Sequence, residues 1–283
     1  MKKYKVAEHV FAIETGGREL DMSQYVPFET TDGSPLFTLV VDKGTEGFAF
    51  DDIEEEARQD DGDQTIICGK LGDGRKAFVY VWTRGKALLA SNGDYTRATL
   101  YSDDEKLSHA VDNSLMLLFA LATARCSTLL FHASTVVWHD RAYMFLGVSG
   151  TGKSTHSRLW LENIGDTRLL NDDNPVVRIM ADGGVMVCGS PWSGKTPCYL
   201  NERYELGGVV RLRQAPRNVI SRQNIIEAYA TIIGSVSGMR WEKTIADGIH
   251  ATTEALLRHC GVWLLDCLPN GDAALLCNKT IAR

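Results

Sequence analysis

Apolar and polar residues alternate in short runs through the first hundred positions, at Gln64–Leu71, Ala77–Thr83, Lys86–Ser91 and Arg97–Tyr101. A period of two turns one face of each run toward a core and the other toward water, which predicts strands. Gly72-Asp73-Gly74, Arg84-Gly85 and Asn92-Gly93-Asp94 separate the runs, and these residue types supply the tight turns of an antiparallel meander. Between Lys106 and Arg125 the spacing changes. Leu107, Val111, Leu115, Leu118 and Ala122 recur three or four positions apart, the period of an amphipathic helix.

Past Thr128 the pattern becomes strand, strand, strand, loop, helix, strand: Thr128–Phe131, Thr135–Trp138, Ala142–Leu146, Ser154–Ile164 and Thr167–Leu170. This wiring predicts an α/β fold. Val176–Met180 and Val185–Cys188 flank the turn Ala181-Asp182-Gly183-Gly184 and predict a hairpin. A strand at Gly208–Leu212, helices over about Arg222–Val236 and Trp241–Cys260, a strand at Val262–Asp266 and a short final helix complete the reading. The boundary falls near residue 105, giving a β-rich N-terminal domain (1–105) and an α/β domain (106–283).

Composition narrows the class. With 283 residues and 44% hydrophobic content the chain can build a sizeable core. Its net charge of -6 gives no electrostatic reason to expect nucleic acid or an anionic membrane as partner. The acidic stretch Asp51–Asp63 is expected to be a solvated loop or helix face. The N-terminal residues carry charge with no apolar segment behind them, and the longest apolar run, Leu115–Ala124, is too short to span a bilayer. The seven cysteines form neither a CxxC pair nor a zinc spacing with histidine. They read as reduced residues of a cytoplasmic protein.

The strongest chemical signal is Gly147-Val148-Ser149-Gly150-Thr151-Gly152-Lys153-Ser154, which fills the phosphate-loop (Walker A) pattern GxxxxGK[ST]. A strand before it and a helix after it are what the motif requires, because loop amides and the helix N-terminus together cradle an anion. Gly147, Gly150 and Gly152 let the backbone curl, with Ser149, Thr151 and Thr155 completing the wrap. Lys153 would reach the β/γ-phosphates and the Ser154 hydroxyl a Mg²⁺ ion. Such a loop holds a nucleotide; a reaction needs a metal partner and a proton acceptor besides. Asp172 and Asp173 end the strand after the loop helix. If that strand runs parallel to the loop strand, both carboxylates arrive at the loop's sheet edge. One would then serve the metal and the other accept a proton from an attacking hydroxyl. An Asx turn at a strand end is the structural alternative. His132 could be a metal ligand or a proton partner of an aspartate, although a lone histidine is more often structural.

The short spacing from phosphate loop to Asp-Asp, with Phe131-His132-Ala133-Ser134 about fifteen residues upstream, resembles the HPr kinase/phosphorylase and ATP-dependent phosphoenolpyruvate carboxykinase superfamily. The stretch GVSGTGKST is similar to the carboxykinase loop, including Thr155 where HPr kinases usually carry Glu. The resemblance covers about residues 128–215 and implies an HPr kinase-like P-loop domain. It implies ATP and Mg²⁺ as cofactors, and catalysis by Asp172, His132 and Lys153. Asp173 and Ser154 would bind metal, and the two aspartates could exchange roles. Gly189-Ser190-Pro191-Trp192-Ser193-Gly194-Lys195 is similar to a stretch lying near the phosphates in those proteins, where Lys195 would neutralise charge. From the residues alone it is a turn. Arg211, Arg213, Arg217 and Arg222 form a basic cluster, read either as a solvated face or as a phosphate or acceptor contact. The implied acceptor is a hydroxyl, a serine of a peptide or small protein. A small-molecule kinase and a non-catalytic ATP-binding regulator are the alternatives. HPr kinases assemble into rings, so a homo-oligomer is among the implied partners.

Overall fold

The structure, a computed structural model, describes residues 1–42, 53–60, 62, 64–102, 105–194 and 196–282. By contacts the chain divides into two compact units, Met1–Ala122 and Thr123–Arg283.

In the first unit, strands β1 (Lys2–Val6), β2 (His9–Glu14), β3 (Phe37–Val41), β4 (Ile53–Asp60), β5 (Gln64–Leu71), β6 (Lys76–Trp82), β7 (Lys86–Ser91) and β8 (Arg97–Ser102) form one sheet in the order β1-β2-β3-β8-β7-β6-β5-β4. The run from β4 to β8 is the expected antiparallel meander, whereas β3 pairs β8 and β2 pairs β3 in parallel. Helix α1 (Leu107–Thr123) covers this sheet, with Phe119 meeting His9 and Phe11 edge-on. The acidic stretch is corrected here: residues 53–60 are neither loop nor helix but the strand β4, largely exposed and, among the described residues, paired only with β5, while Asp51, Asp52, Asp61 and Asp63 lie outside the described residues. Charges along a sheet's edge strand discourage another chain from pairing there.

The second unit holds β9 (Thr128–Leu130), β10 (Ala133–Trp138), β11 (Arg141–Leu146), β12 (Arg168–Asn171), β13 (Val176–Ile179), β14 (Val185–Cys188), β15 (Arg203–Gln214), β16 (Val219–Arg222) and β17 (Val262–Cys267). The main path is β12-β10-β11-β15-β14-β13-β9, with β17 beside β15 and β16. A two-residue turn joins β10 to β11. Its His139 and Asp140 both have positive φ, the backbone that matches the twist of a tight hairpin. β10 is antiparallel to both β11 and β12, so β11 and β12 run in the same direction with β10 between them. On the other side of β11, β15 and then β17 are parallel to it.

Helix α2 (Lys153–Asn163) follows β11 and packs its Trp160 into the core. That ring is fully buried, 5.3 Å from Tyr143 and 5.4 Å from Phe145, beside Val210 and Leu265 and the residues Ala274 and Cys277 of α5 (Gly271–Ile281). Burial of one side chain of this size is worth about 1.5–3 kcal/mol, enough to fix the helix against the sheet. The expected helix over Arg222–Val236 is shorter, because Val219–Arg222 pairs with β17 as a strand. Helix α3 (Ile225–Ile233) starts at Asn224, whose side chain caps the Ile226 and Glu227 amides while Glu227 reaches back, a capping box. α4 (Lys243–His259) lies within its expected span. Among the described residues no helix is long and apolar enough to cross a membrane.

Candidate active site

The phosphate loop leaves β11 at Leu146 and enters α2 at Lys153. Gly150 and Gly152 adopt φ of 78° and 107°, a left-handed backbone that glycine reaches without a steric penalty. Gly152 is the N-cap residue of α2 and no side chain caps the helix there, so the first-turn amides are left facing outward, as an anion cradle requires. Thr151 closes the loop internally, its hydroxyl donating to the Val148 carbonyl at 2.7 Å. From the β15 side the Gln214 amide donates to the Gly150 and Thr151 carbonyls, at 3.3 and 3.4 Å.

Lys153 is only 8% exposed, and burial pushes its pKa down, against the opposing pull of Asp173 and Asp172. Its ammonium donates to the Gly147 carbonyl at 3.0 Å and to His132 Nε2 at 2.8 Å. An ammonium can only donate, which makes Nε2 the acceptor and leaves the ring proton on Nδ1. Nδ1 faces Asp173 Oδ1 at 3.1 Å. Lys153, His132 and Asp173 therefore form one continuous chain of polar contacts.

Topology explains why these residues meet. β11 and β12 end at the sheet edge where the antiparallel β10 begins. His132 precedes β10, and its amide bonds the Ser235 carbonyl while the next amide, of Ala133, bonds the Asp173 carbonyl at 2.8 Å. The two aspartates occupy different surroundings. Asp172 is buried, and its Oδ1 accepts the Ser134 hydroxyl at 2.7 Å; that hydroxyl also touches Ser157 Oγ on α2 at 2.5 Å. Asp173 keeps 32% of its side chain exposed and accepts the Asn174 amide at 2.9 Å.

The Asx turn also exists, but its side chain belongs to Asn171, whose Oδ1 accepts the Asp173 and Asn174 amides at 3.0 and 2.7 Å. The turn therefore engages neither aspartate side chain. The segment 189–194 braces this loop from beneath: Asn171 Nδ2 donates to the Trp192 carbonyl at 3.3 Å, and the buried Ser190 hydroxyl donates to the Asn174 carbonyl at 2.6 Å. A Cβ placed on Gly194 would stand 3.2 Å from that of Asp173, so a side chain there would push the carboxylate aside. Lys195 lies outside the described residues. No role was read from the sequence for Ser134, Ser157, Asn171 or Ser190, since a single serine or asparagine carries no spacing signature, although Ser134 and Ser190 lay within recognised stretches and Asn171 directly precedes Asp172.

Of the basic cluster, Arg211 and Arg213 both line a cleft of about 440 Å³ with the loop residues Gly147–Thr151, and Arg213 is held there by Asp266 through Nε and Nη2, at 2.5 and 2.7 Å. A second cleft, of about 570 Å³, opens between the start of α2 and the ends of β15 and β17. His156, on the first turn of α2, is buried; burial alone pulls its pKa down to about 4, and its Nε2 accepts the Trp160 indole N–H at 3.2 Å.

The described residues contain no group of three or more His, Cys, Asp and Glu side chains placed to hold a metal ion. A Mg²⁺ ion that takes most of its oxygens from phosphates and water needs only one or two from protein. Ser154 with one aspartate fits that requirement.

No protein-family model and no curated protein matches the chain. Among solved structures it is similar to the Hpr(Ser) kinase/phosphatase from Coxiella burnetii, at 12% sequence identity and a TM-score of 0.31, over 54% of this chain and 93% of that chain. A likeness of that degree assigns no residue a role.

Proposed function

We propose that the chain is an ATP-dependent phosphotransferase, moving the γ-phosphoryl group to a hydroxyl of a peptide or small-protein serine. The observation that carries the reading is the contact chain from Lys153 through His132 to Asp173, set at the mouth of a glycine loop whose helix has no side-chain cap. A structural turn has no need of a buried ammonium beside two carboxylates, whereas phosphoryl transfer uses both.

The residues divide the work by accessibility. Loop amides and Lys153 hold the β- and γ-phosphates, and Lys153 gives up its contact with His132 as it turns to them. Ser154 and Asp172 would hold a Mg²⁺ ion, which would supply positive charge against the phosphate oxygens. Ser134 and the α2 residue Ser157 fix the buried Asp172 for that task. Asp173 is the carboxylate an incoming hydroxyl can reach, with His132 steadying its other side. As the acceptor oxygen forms its bond to phosphorus, the bond from phosphorus to the β,γ-bridging oxygen breaks and ADP leaves. The hydroxyl proton passes to Asp173. This exchanges the two aspartate roles relative to the first expectation, because Asp172 is too deeply buried to meet a peptide side chain.

The test is transfer of label from γ-labelled ATP to serine peptides. Lys153→Ala abolishes transfer. Asp173→Asn lowers turnover by about 10²-fold or more while nucleotide affinity stays within a few-fold. Full activity in Lys153→Ala would end this mechanism.

A further inference from the structure

The N-terminal unit holds a cavity that phosphoryl transfer does not use. It measures about 220 Å³ and lies where the first turns of α1 meet the segment Asp21–Tyr25, with Asp21, Gln24, Tyr25, Ser108, His109 and Asp112 on its lining. Sites for drug-sized ligands run from about 300 Å³ upward, so this one admits a small molecule or the end of a long side chain.

Asp112 sets the chemistry of the cavity. The Gln24 amide, at 2.6 Å, and the Tyr25 hydroxyl both donate to its Oδ1, while among the described residues nothing donates to Oδ2. Oδ2 is not sealed in the interior, so it is the oxygen a ligand in the cavity meets. Among the described residues no ion pair engages this carboxylate, and burial raises its pKa to about 6. His109 supplies no charge at neutral pH: burial, with Lys106 adding to it, pushes its pKa down, and the ring packs 5.4 Å from that of Trp82. Burying a carboxylate without a cation costs stability. The lining offers a negative charge and acceptor oxygens, with no lysine or arginine among its residues to match them.

The occupied Oδ1 decides which cation fits. A guanidinium grips a carboxylate through both oxygens, whereas an ammonium needs one and turns its other N–H groups to neighbouring acceptors. The Asp21 carboxylate and the Ser108 hydroxyl share the lining and provide those acceptors. The described residues contain no group of three His, Cys, Asp and Glu side chains placed for a metal ion, which favours an organic cation. We infer that this cavity binds a primary ammonium, carried by a small free amine or by a lysine side chain of a partner, with Asp112 as its counter-ion.

Chemical-shift titration of the full chain at pH 7.5, where Asp112 is ionised, follows the α1 amides and the Trp82 indole N–H at constant ionic strength. Ethylammonium should give saturable shifts there. Tetramethylammonium, with the same charge and no N–H, should give none. Nα-acetyl-lysine amide binding severalfold more tightly than ethylammonium assigns the cavity to a partner's lysine; equal or weaker binding assigns it to a free amine. Asp112→Asn removes the charge and keeps the shape, and should weaken ethylammonium at least about tenfold, the loss of one charge-assisted hydrogen bond. Ser108→Lys, at an exposed position one helical turn before Asp112, supplies a tethered ammonium and should exclude the probe to the same degree. The site is overturned by the lack of saturable shifts in wild-type protein, by equal shifts with tetramethylammonium, or by unchanged ethylammonium affinity in folded Asp112→Asn. The glycine loop is untouched by any of these outcomes, since its reading stands or falls on label transfer.

Discussion

His156 makes the start of α2 sensitive to acid. The side chain is 3% exposed, packs edge-on against Phe145 at 4.7 Å and accepts the Trp160 indole proton. Burial lowers its pKa from 6.5 to about 4. The folded state therefore keeps His156 neutral at acidities where the unfolded chain has already protonated it. Stability is complete above pH 6.5 and declines as pH falls from there toward about 4. At pH 4.5 the linkage amounts to ~2.5 kcal/mol, a large share of a domain's net stability. His156→Gln retains an acceptor for Trp160 and cannot titrate. Urea unfolding of both proteins at pH 7.0 and pH 4.5, followed by far-ultraviolet circular dichroism, isolates the effect, since every other titrating group is common to the two. Wild-type protein should lose about 2–3 kcal/mol more than the variant over that interval. Equal losses would refute the argument.

Two further outcomes follow from buried carboxylates. Asp112 on α1 accepts the Tyr25 hydroxyl and, at 2.6 Å, the Gln24 amide, and burial raises its pKa to about 6. A raised carboxyl pKa means that stability falls as pH rises from about 4 to 6; Asp112→Asn should gain on the order of 2 kcal/mol at pH 7 and lose that advantage by pH 4, measured by urea unfolding. In the second unit, Ser134→Ala removes a hydroxyl donor from buried Asp172, costing about 1–3 kcal/mol of stability and lowering turnover with little change in acceptor KM, read from steady-state transfer kinetics.

Legibility in the sequence followed burial and charge. The meander from β5 to β8 showed because short apolar runs are cut by turn residues, as at Lys86–Ser91, where Ala87–Ser91 is buried throughout between the turns at Arg84-Gly85 and Asn92-Gly93-Asp94. β4 was hidden, since a strand exposed on both faces and carrying Glu54, Glu55 and Glu56 has no apolar period to detect. β16 was hidden for a related reason: only its pairing with β17 makes it a strand, and Val219 and Arg222 are exposed. The true start of α3 was nevertheless written in Asn224 and Glu227, a capping box three positions apart. At the site, glycine spacing and the Asp pair were readable because local backbone and charge demand them. Which of the two carboxylates the fold covers was not. Asp172 is the buried one, against Ser134, which in turn touches Ser157, residues brought together by β10 and α2.

The placement of β10 between β11 and β12 has a consequence for inheritance. His132, the glycine loop, Ser157 and both aspartates occupy one uninterrupted stretch, so a gene segment coding for residues 132–173 would carry the whole set intact. Half of the walls of the 570 Å³ cleft come from elsewhere, at Leu212, Gln214, Ala215 and Cys267–Pro269, far along the chain. The residues of that stretch can therefore move together as a cassette, while the rest of the cleft wall is rewritten one strand end at a time.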